Sequence, residues 1–352
     1  MRRILLHVFA LLVLLPTAQS AETSATPPPA TPPPSAAILE SIAHAGLTPA
    51  QVLPLMGKPL YQFTEAEVNV YLHYLQSAVP DLRQRIVHLA RKNVGQPYQL
   101  NLLGELPFET YDPQPIYCLS RSDCLVFTEH TYAMALSGNW TSFMRLLQRI
   151  RYHEGRIGVA TRNHFTEADW NPANAWLVRD ITAEVAGPKA AGFEENIDRA
   201  RFLFKKFGVK TSIPVEPHHD IYVPYTQIGR TLAALQDGDM VDVVRGVVKP
   251  GTPENDIFGG HAWIGHVGLI AHGPDGTVHL IHSSEPAVRE EPITEFIARS
   301  NAHAAALEAA GKPRLLGFKF LRLESAPLDN LRKIDGDQMP RVSLPDGRPA
   351  GL

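Results

Sequence analysis

The sequence predicts an α+β protein in which helices come first and a mostly antiparallel sheet follows. Three observations predict it. Up to about Phe207 apolar residues recur at helical spacing, with N-cap and stop residues at the segment ends. Beyond Ile213 the segments Met240–Val248, Ala262–Ala271, Val278–Ser283 and Leu315–Leu323 are short, β-rich and separated by Gly, Pro and Asp. One helical segment, Glu295 to Ala310, interrupts those strands.

The elements follow in order. Arg2-Arg3, an apolar run from Ile4 to Pro16, and small residues at Ala18 and Ser20 read as a secretory signal peptide cleaved near Ser20. The run is shorter than the roughly 20 residues a membrane span needs. No stable membrane insertion is therefore expected after cleavage. Residues 21–37 are rich in proline and small side chains, which suits an extended tether. A helical N-terminal extension is expected over 38–80, with Thr64 and Glu67 as a capping box. The main domain is expected over 81–325. It opens with a helix from Asp81 to Asn93, with Gly95 as its stop, and passes through a proline-rich loop to Leu119. Further helices are expected at Asp123–Leu136, Thr141–Arg151 and Glu194–Phe207. Residues 326–352 read as a surface-draped or disordered tail.

With 44% hydrophobic residues and a formal charge of -3, the composition is globular and shows no sign of a nucleic-acid surface. Oligomeric state is not legible. Two cysteines are present. In an exported chain they could close a small disulfide loop, but their settings differ. Cys124 follows Asp123, a good N-cap, so its thiol would sit in the first turn of a helix. Unpaired N–H groups and the dipole would there favour thiolate. Cys118 lies in an irregular approach. Cys124 is the better nucleophile, and a nucleophile needs a base oriented by a third group. Gly273-Pro274-Asp275-Gly276 marks a hairpin turn, and counting outward sets His266 nearly opposite His282, within one residue. The remaining histidines, of fifteen in all, carry no such pairing.

These residues resemble a known family. Gly95-Gln96-Pro97-Tyr98, then Asp123-Cys124-Leu125-Val126-Phe127 opening a helix, His266-Val267-Gly268-Leu269 on a strand and His282 on the next are similar to the NlpC-type papain-like cysteine hydrolases. That resemblance implies a papain-like fold with Cys124 as nucleophile, His266 as base, His282 as its orienting partner and Tyr98 beside the nucleophile. Ile150 to Trp170, Asn174 to Thr182 and His282-Ser283-Ser284 look like the N-acetylmuramoyl-L-alanine amidase-like branch. This implies peptidoglycan or muropeptide fragments as substrate, cleavage of the lactyl–L-alanine amide, and a periplasmic setting. Muropeptides carry carboxylates, and arginine binds these bidentately. Arg162 and His164 are accordingly candidate substrate contacts, and Tyr98, Asp123 and Ser283 complete the candidate substrate-binding set. Trp170 and Trp176 fit either core or sugar platforms.

Other readings stay open. The same motifs serve an endopeptidase cutting between D-glutamate and the diamino acid of the stem peptide. A non-catalytic wall-binding protein is a further alternative. A zinc hydrolase lacks its usual H-E-x-x-H or CxxC pair, and the proposed chemistry requires no metal or cofactor.

Overall fold

The computed structural model describes residues 34–247 and 262–335. The expected signal peptide, most of the proline-rich tether and the end of the tail lie outside the described residues. The chain divides at Ser35, and the fold is that of the unit beginning at Ala36.

Helices α1 (Ala36–His44), α2 (Pro49–Met56) and α3 (Glu65–Ala78) come first in the described chain. The expected capping box is present: Glu67 accepts from the Thr64 N–H at 2.7 Å, and Thr64 Oγ1 accepts from the Glu67 N–H at 3.3 Å. Helix α4 (Leu82–Lys92) is capped by Asp81, whose carboxylate accepts from the Gln84 N–H at 2.8 Å. It ends at Asn93, two residues ahead of Gly95, whose φ of 91° turns the chain. Helices α5 (Cys124–Ala135) and α6 (Trp140–Arg151) complete the layer. Nearly every residue of α5 is buried, which is why it shows little amphipathic pattern.

The sheet contains β1 (Val178–Asp180), β2 (Ala191–Ile197), β3 (Glu216–Pro224), β4 (Met240–Gly246), β5 (Ala262–His272), β6 (Val278–Ser284), β7 (Ala287–Pro292) and β8 (Arg314–Leu323). Its order is β2-β3-β8-β4-β5-β6-β7, with β1 also on β8, and the pairs are antiparallel. Side chains alternate between two cores, as the pleat requires. Val267, Leu269, Ala271 and Ile281 join the core formed by α1–α6, where Ile42, Leu72 and Phe127 are also buried. Val241, Val243, Ile270, Leu280, Phe318 and Phe320 face the opposite way and pack with Phe296 of the helix Ile293–Asn301.

Three segments differ from expectation. Glu194–Ile197 is strand, not helix. Phe193, Glu195 and Ile197 alternate inward along β2, and Asp198 starts the helix Arg199–Phe207 by accepting from the Arg201 N–H. The helix expected over Glu295–Ala310 is two, Ile293–Asn301 and Ala304–Ala309. Residues Pro327–Asp335, expected to be part of an unstructured tail, form a helix. Leu331 enters the main core, and Arg149 donates to the Asp335 carboxylate at 2.8 Å. Trp170 and Trp176 are both core residues.

Candidate active site

The site begins at the start of α5. Asp123 is in extended geometry with its carboxylate accepting from the Val126 N–H at 2.9 Å, so α5 starts at Cys124. The segment ahead of it is tied to the sheet from below. Ser122 Oγ donates to Gln96 Oε1 at 2.7 Å, and Ser283 Oγ donates to the Ser122 carbonyl at 2.9 Å. Tyr98 enters the same region by a bridge to Ser122 and by its N–H, which donates to the Pro286 carbonyl at 3.0 Å. Its phenol is pushed up to about 12 by burial, with Cys124, Asp123 and Glu285 adding to the shift.

The half-buried Cys124 thiol lies near β5 at Val267, whose N–H favours the thiolate. Burial and the Asp123 carboxylate push the thiol up to about 12, outweighing the N–H groups of Val267, Leu125 and Cys124 itself. Burial, the larger cause, thus works against the thiolate that the helix N-terminus favours, and the carboxylate of the cap acts in the same sense as burial. Cys118 is a separate free thiol, placed against Leu102, Leu103 and Val126.

His266 is the residue before Val267. The β5–β6 register pairs Leu269 with Ile281, so one step further Gly268 stands opposite His282. His266 is thus two residues from the directly opposed position, and a displacement of two keeps both rings on one face. A Cβ on Gly268 would lie 3.0 Å from His282 Cβ and 2.8 Å from Leu280 Cδ1. The bare glycine leaves room for the diagonal contact: His266 Nε2 and His282 Nδ1 are 2.7 Å apart. Phe296 fixes both rings, stacked against His266 at 10° and edge-on to His282 at 89°.

The series continues on β7. His282 Nε2 lies 2.8 Å from Glu291 Oε1, and Arg299 donates to the same carboxylate. Burial opposes ionisation of Glu291, yet the hydrogen bonds from His282 and Arg299 hold it down at about 2. This settles the proton positions. A neutral His282 that donates from Nε2 to a carboxylate must accept at Nδ1, so His266 donates from Nε2 and keeps Nδ1 as a lone pair. Burial holds the His266 imidazole well below its usual range, and the charges of His282, Arg245, Arg299 and Arg289 act in the same sense. Among the described residues the thiol and His266 share no hydrogen bond, a contact that commonly tightens only when substrate is present.

A thiol pushed up in this way has a measurable consequence. Alkylation of Cys124 by iodoacetamide should rise about tenfold per pH unit from pH 7 to 10, since the reactive thiolate fraction grows that way below the pKa. A rate independent of pH from 5 to 9 would instead indicate a preformed thiolate–imidazolium pair.

The structure groups Tyr98, Asp123 and Cys124 at the start of α5 and His266 with His282 across β5 and β6, and the two groups approach at Val267, the residue after His266. The other expected contacts are engaged internally. Arg162 donates from Nε to Glu105 at 2.6 Å and from NH2 to Asp112 at 3.0 Å. His164 is packed against Phe202 and Phe207 with Nε2 2.6 Å from the Val159 carbonyl, and burial brings its imidazole down to about 3. Ser283 is fully buried and braces the frame, as its bond to Ser122 shows. Asp123 is spent as the cap. Glu291, Arg299 and Arg245 were not singled out from sequence, because each reaches the site through strand pairing or helix packing. Among the described residues no three His, Cys, Asp or Glu side chains are placed to hold a metal ion.

The model of the N-acetylmuramoyl-L-alanine amidase-like family matches residues 88–303, a span containing every residue of this site. The chain belongs to the N-acetylmuramoyl-L-alanine amidase-like family. Among solved structures, this amidase-like chain is similar to a protein of Legionella pneumophila assigned to a family of unknown function. The TM-score is 0.62 at 19% identity, covering 74% of this chain and 94% of that one. It is also similar to an N-acetylmuramoyl-L-alanine amidase from Bacteroides uniformis, with a TM-score of 0.51 at 17% identity, covering 69% and 99%. At these identities the likeness is one of fold, a mixed helical and antiparallel-sheet α+β architecture. No curated protein matches the chain.

Proposed function

We propose that the chain is a peptidoglycan hydrolase that cleaves the lactyl–L-alanine amide of muropeptides by a cysteine mechanism on a papain-like frame. The observation that carries this reading is the His266–His282–Glu291 series beside a cysteine at a helix start, in a chain of the amidase-like family. Cys124 Sγ attacks the lactyl carbonyl carbon as its proton passes to His266 Nδ1. The carbonyl π pair moves to oxygen, where the backbone N–H at the start of α5 and the Tyr98 hydroxyl can donate. The C–N bond then breaks, and His266 returns the proton to the departing L-alanine amine. Water, deprotonated by His266, attacks the thioester and releases the lactyl carboxylate and the thiol. His282 and Glu291 hold the tautomer that this cycle needs. The leader-like N-terminus supports export to the periplasm, where this substrate is found.

Mass spectrometry of defined muropeptides incubated with the protein tests the bond. Release of a peptide with a free L-alanine amine is the expected result. Splitting of the stem peptide between D-glutamate and the diamino acid would move the assignment to an endopeptidase of the same mechanism. No cleavage of either kind would overturn the reading.

A further inference from the structure

Among the described residues, the site holds a cation that no carboxylate pairs with. Arg245 lies near the end of β4, two residues beyond Val243, which pairs directly with His266. Between Val243 and Val244 the β4–β5 register skips a residue, leaving Gly265 as the bulged position of β5. Space for a side chain at that bulge is already filled. A Cβ on Gly265 would meet Arg245 Cδ at 2.8 Å, Cγ at 3.1 Å and Cβ at 3.3 Å. The arginine stem is therefore laid along the bulge, one residue from His266. The guanidinium is close enough that its charge acts on both the Cys124 thiol and the His266 imidazole.

Among the described residues no carboxylate pairs with Arg245, whereas the other arginines of the region are engaged. Arg162 pairs with Glu105 and Asp112, Arg151 with Glu129, and Arg299 with Glu291. Arg289 is committed to the Glu285 carbonyl. Three arginines thus surround the base, and Glu291, which faces them, is already shared by His282 and Arg299. A half-buried cation with no counter-charge costs desolvation energy, which an anionic ligand would recover.

We propose that Arg245 is the residue that selects the substrate's carboxylate, binding the free α-carboxylate of the γ-linked D-glutamate next to the L-alanine leaving group. This rests on the amidase reading above and names the part of the substrate the site recognises. Arginine's planar fork suits a carboxylate, and the bulge fixes the fork beside the reacting groups.

The test compares two muramyl dipeptides, one with a free α-carboxylate on its D-glutamate and one with that group as a carboxamide. The wild-type protein should prefer the acid in kcat/KM by about 10- to 100-fold, the value of one charge-assisted hydrogen-bonded pair. In Arg245→Met that preference should fall to near one, because the acid loses far more kcat/KM than the carboxamide. Arg245→Lys should keep part of it. Gly265→Ala, which leaves the arginine present but displaces its stem, should lower it as well. An unchanged preference in Arg245→Met overturns the proposal. So does an equal loss on both substrates, which would place the charge on the reaction itself. Calorimetric binding of the same two compounds to Cys124→Ala, with and without Arg245→Met, separates this inference from the amidase reading. If the wild type cuts neither compound the amidase reading fails. An acid preference in binding that disappears with Arg245 still upholds the recognition role, and its absence overturns it.

Discussion

Cys124→Ala is expected to lower release of the L-alanine peptide by roughly 10⁴-fold or more while leaving the thermal melt in place. The size follows from the absence of a substitute. The nucleophile acts as a unit with its base, so removing it also idles His266, His282 and Glu291. Cys118 cannot replace it, since that thiol faces Leu102, Leu103 and Val126 rather than the imidazole pair. Cys118→Ala should accordingly retain activity. The check is a single-turnover assay on a defined muropeptide, read by mass spectrometry for both the product amine and the thioester adduct. Persistence of cleavage in Cys124→Ala would remove the cysteine mechanism altogether.

Glu129→Ala is expected to give the largest loss of stability, roughly 3–5 kcal/mol, because it strands a charge in the interior. Glu129 and Arg151 are both buried, joined by a 3.1 Å bond from Arg151 NH1, and Trp170 Nε1 donates to the second carboxylate oxygen at 3.1 Å. The three residues link α5, α6 and the turn at Trp170, directly behind the helix that starts with Cys124. Removing the carboxylate leaves one guanidinium and one indole N–H without their acceptor. Glu129→Gln, which preserves an acceptor of the same shape, should cost less. Urea unfolding of the two variants measures the difference, and a loss below about 1 kcal/mol in Glu129→Ala would mean that water or a rearranged side chain replaces the pair.

Local chemistry made part of this molecule legible. The Thr64–Glu67 box, the Asp81 and Asp123 caps and the turn before Val278 each have a short-range cause, and each lies where the residues place it. The pairing of His266 with His282 was also legible, since a hairpin with a marked turn fixes its own faces. Position on a face survived an error in the exact partner because a two-residue displacement preserves it. Less legible were properties set by distant segments. Glu194–Ile197 looks helical until β3 pairs with it, and Pro327–Asp335 looks unstructured until Leu331 and Asp335 find the core and Arg149. Arg162 carries the right chemistry for a carboxylate, but Glu105 and Asp112, some fifty residues earlier, already occupy it. Arg245 shows no local signal. Only the strand register reveals that it lies over a glycine beside the base.

Strand β4 is flanked by two irregularities at nearly the same level: Gly265 is extra in β5, and on the other side the register with β8 skips between Val244 and Arg245. The sheet therefore has a joint across three strands. His266 stands on one side of it, within the regular ladder, and Arg245 stands on the other. A change in length or twist beyond the joint would re-aim the arginine while the histidine stayed in place. Within this architecture, the choice of what is cut and the machinery for cutting it can drift independently.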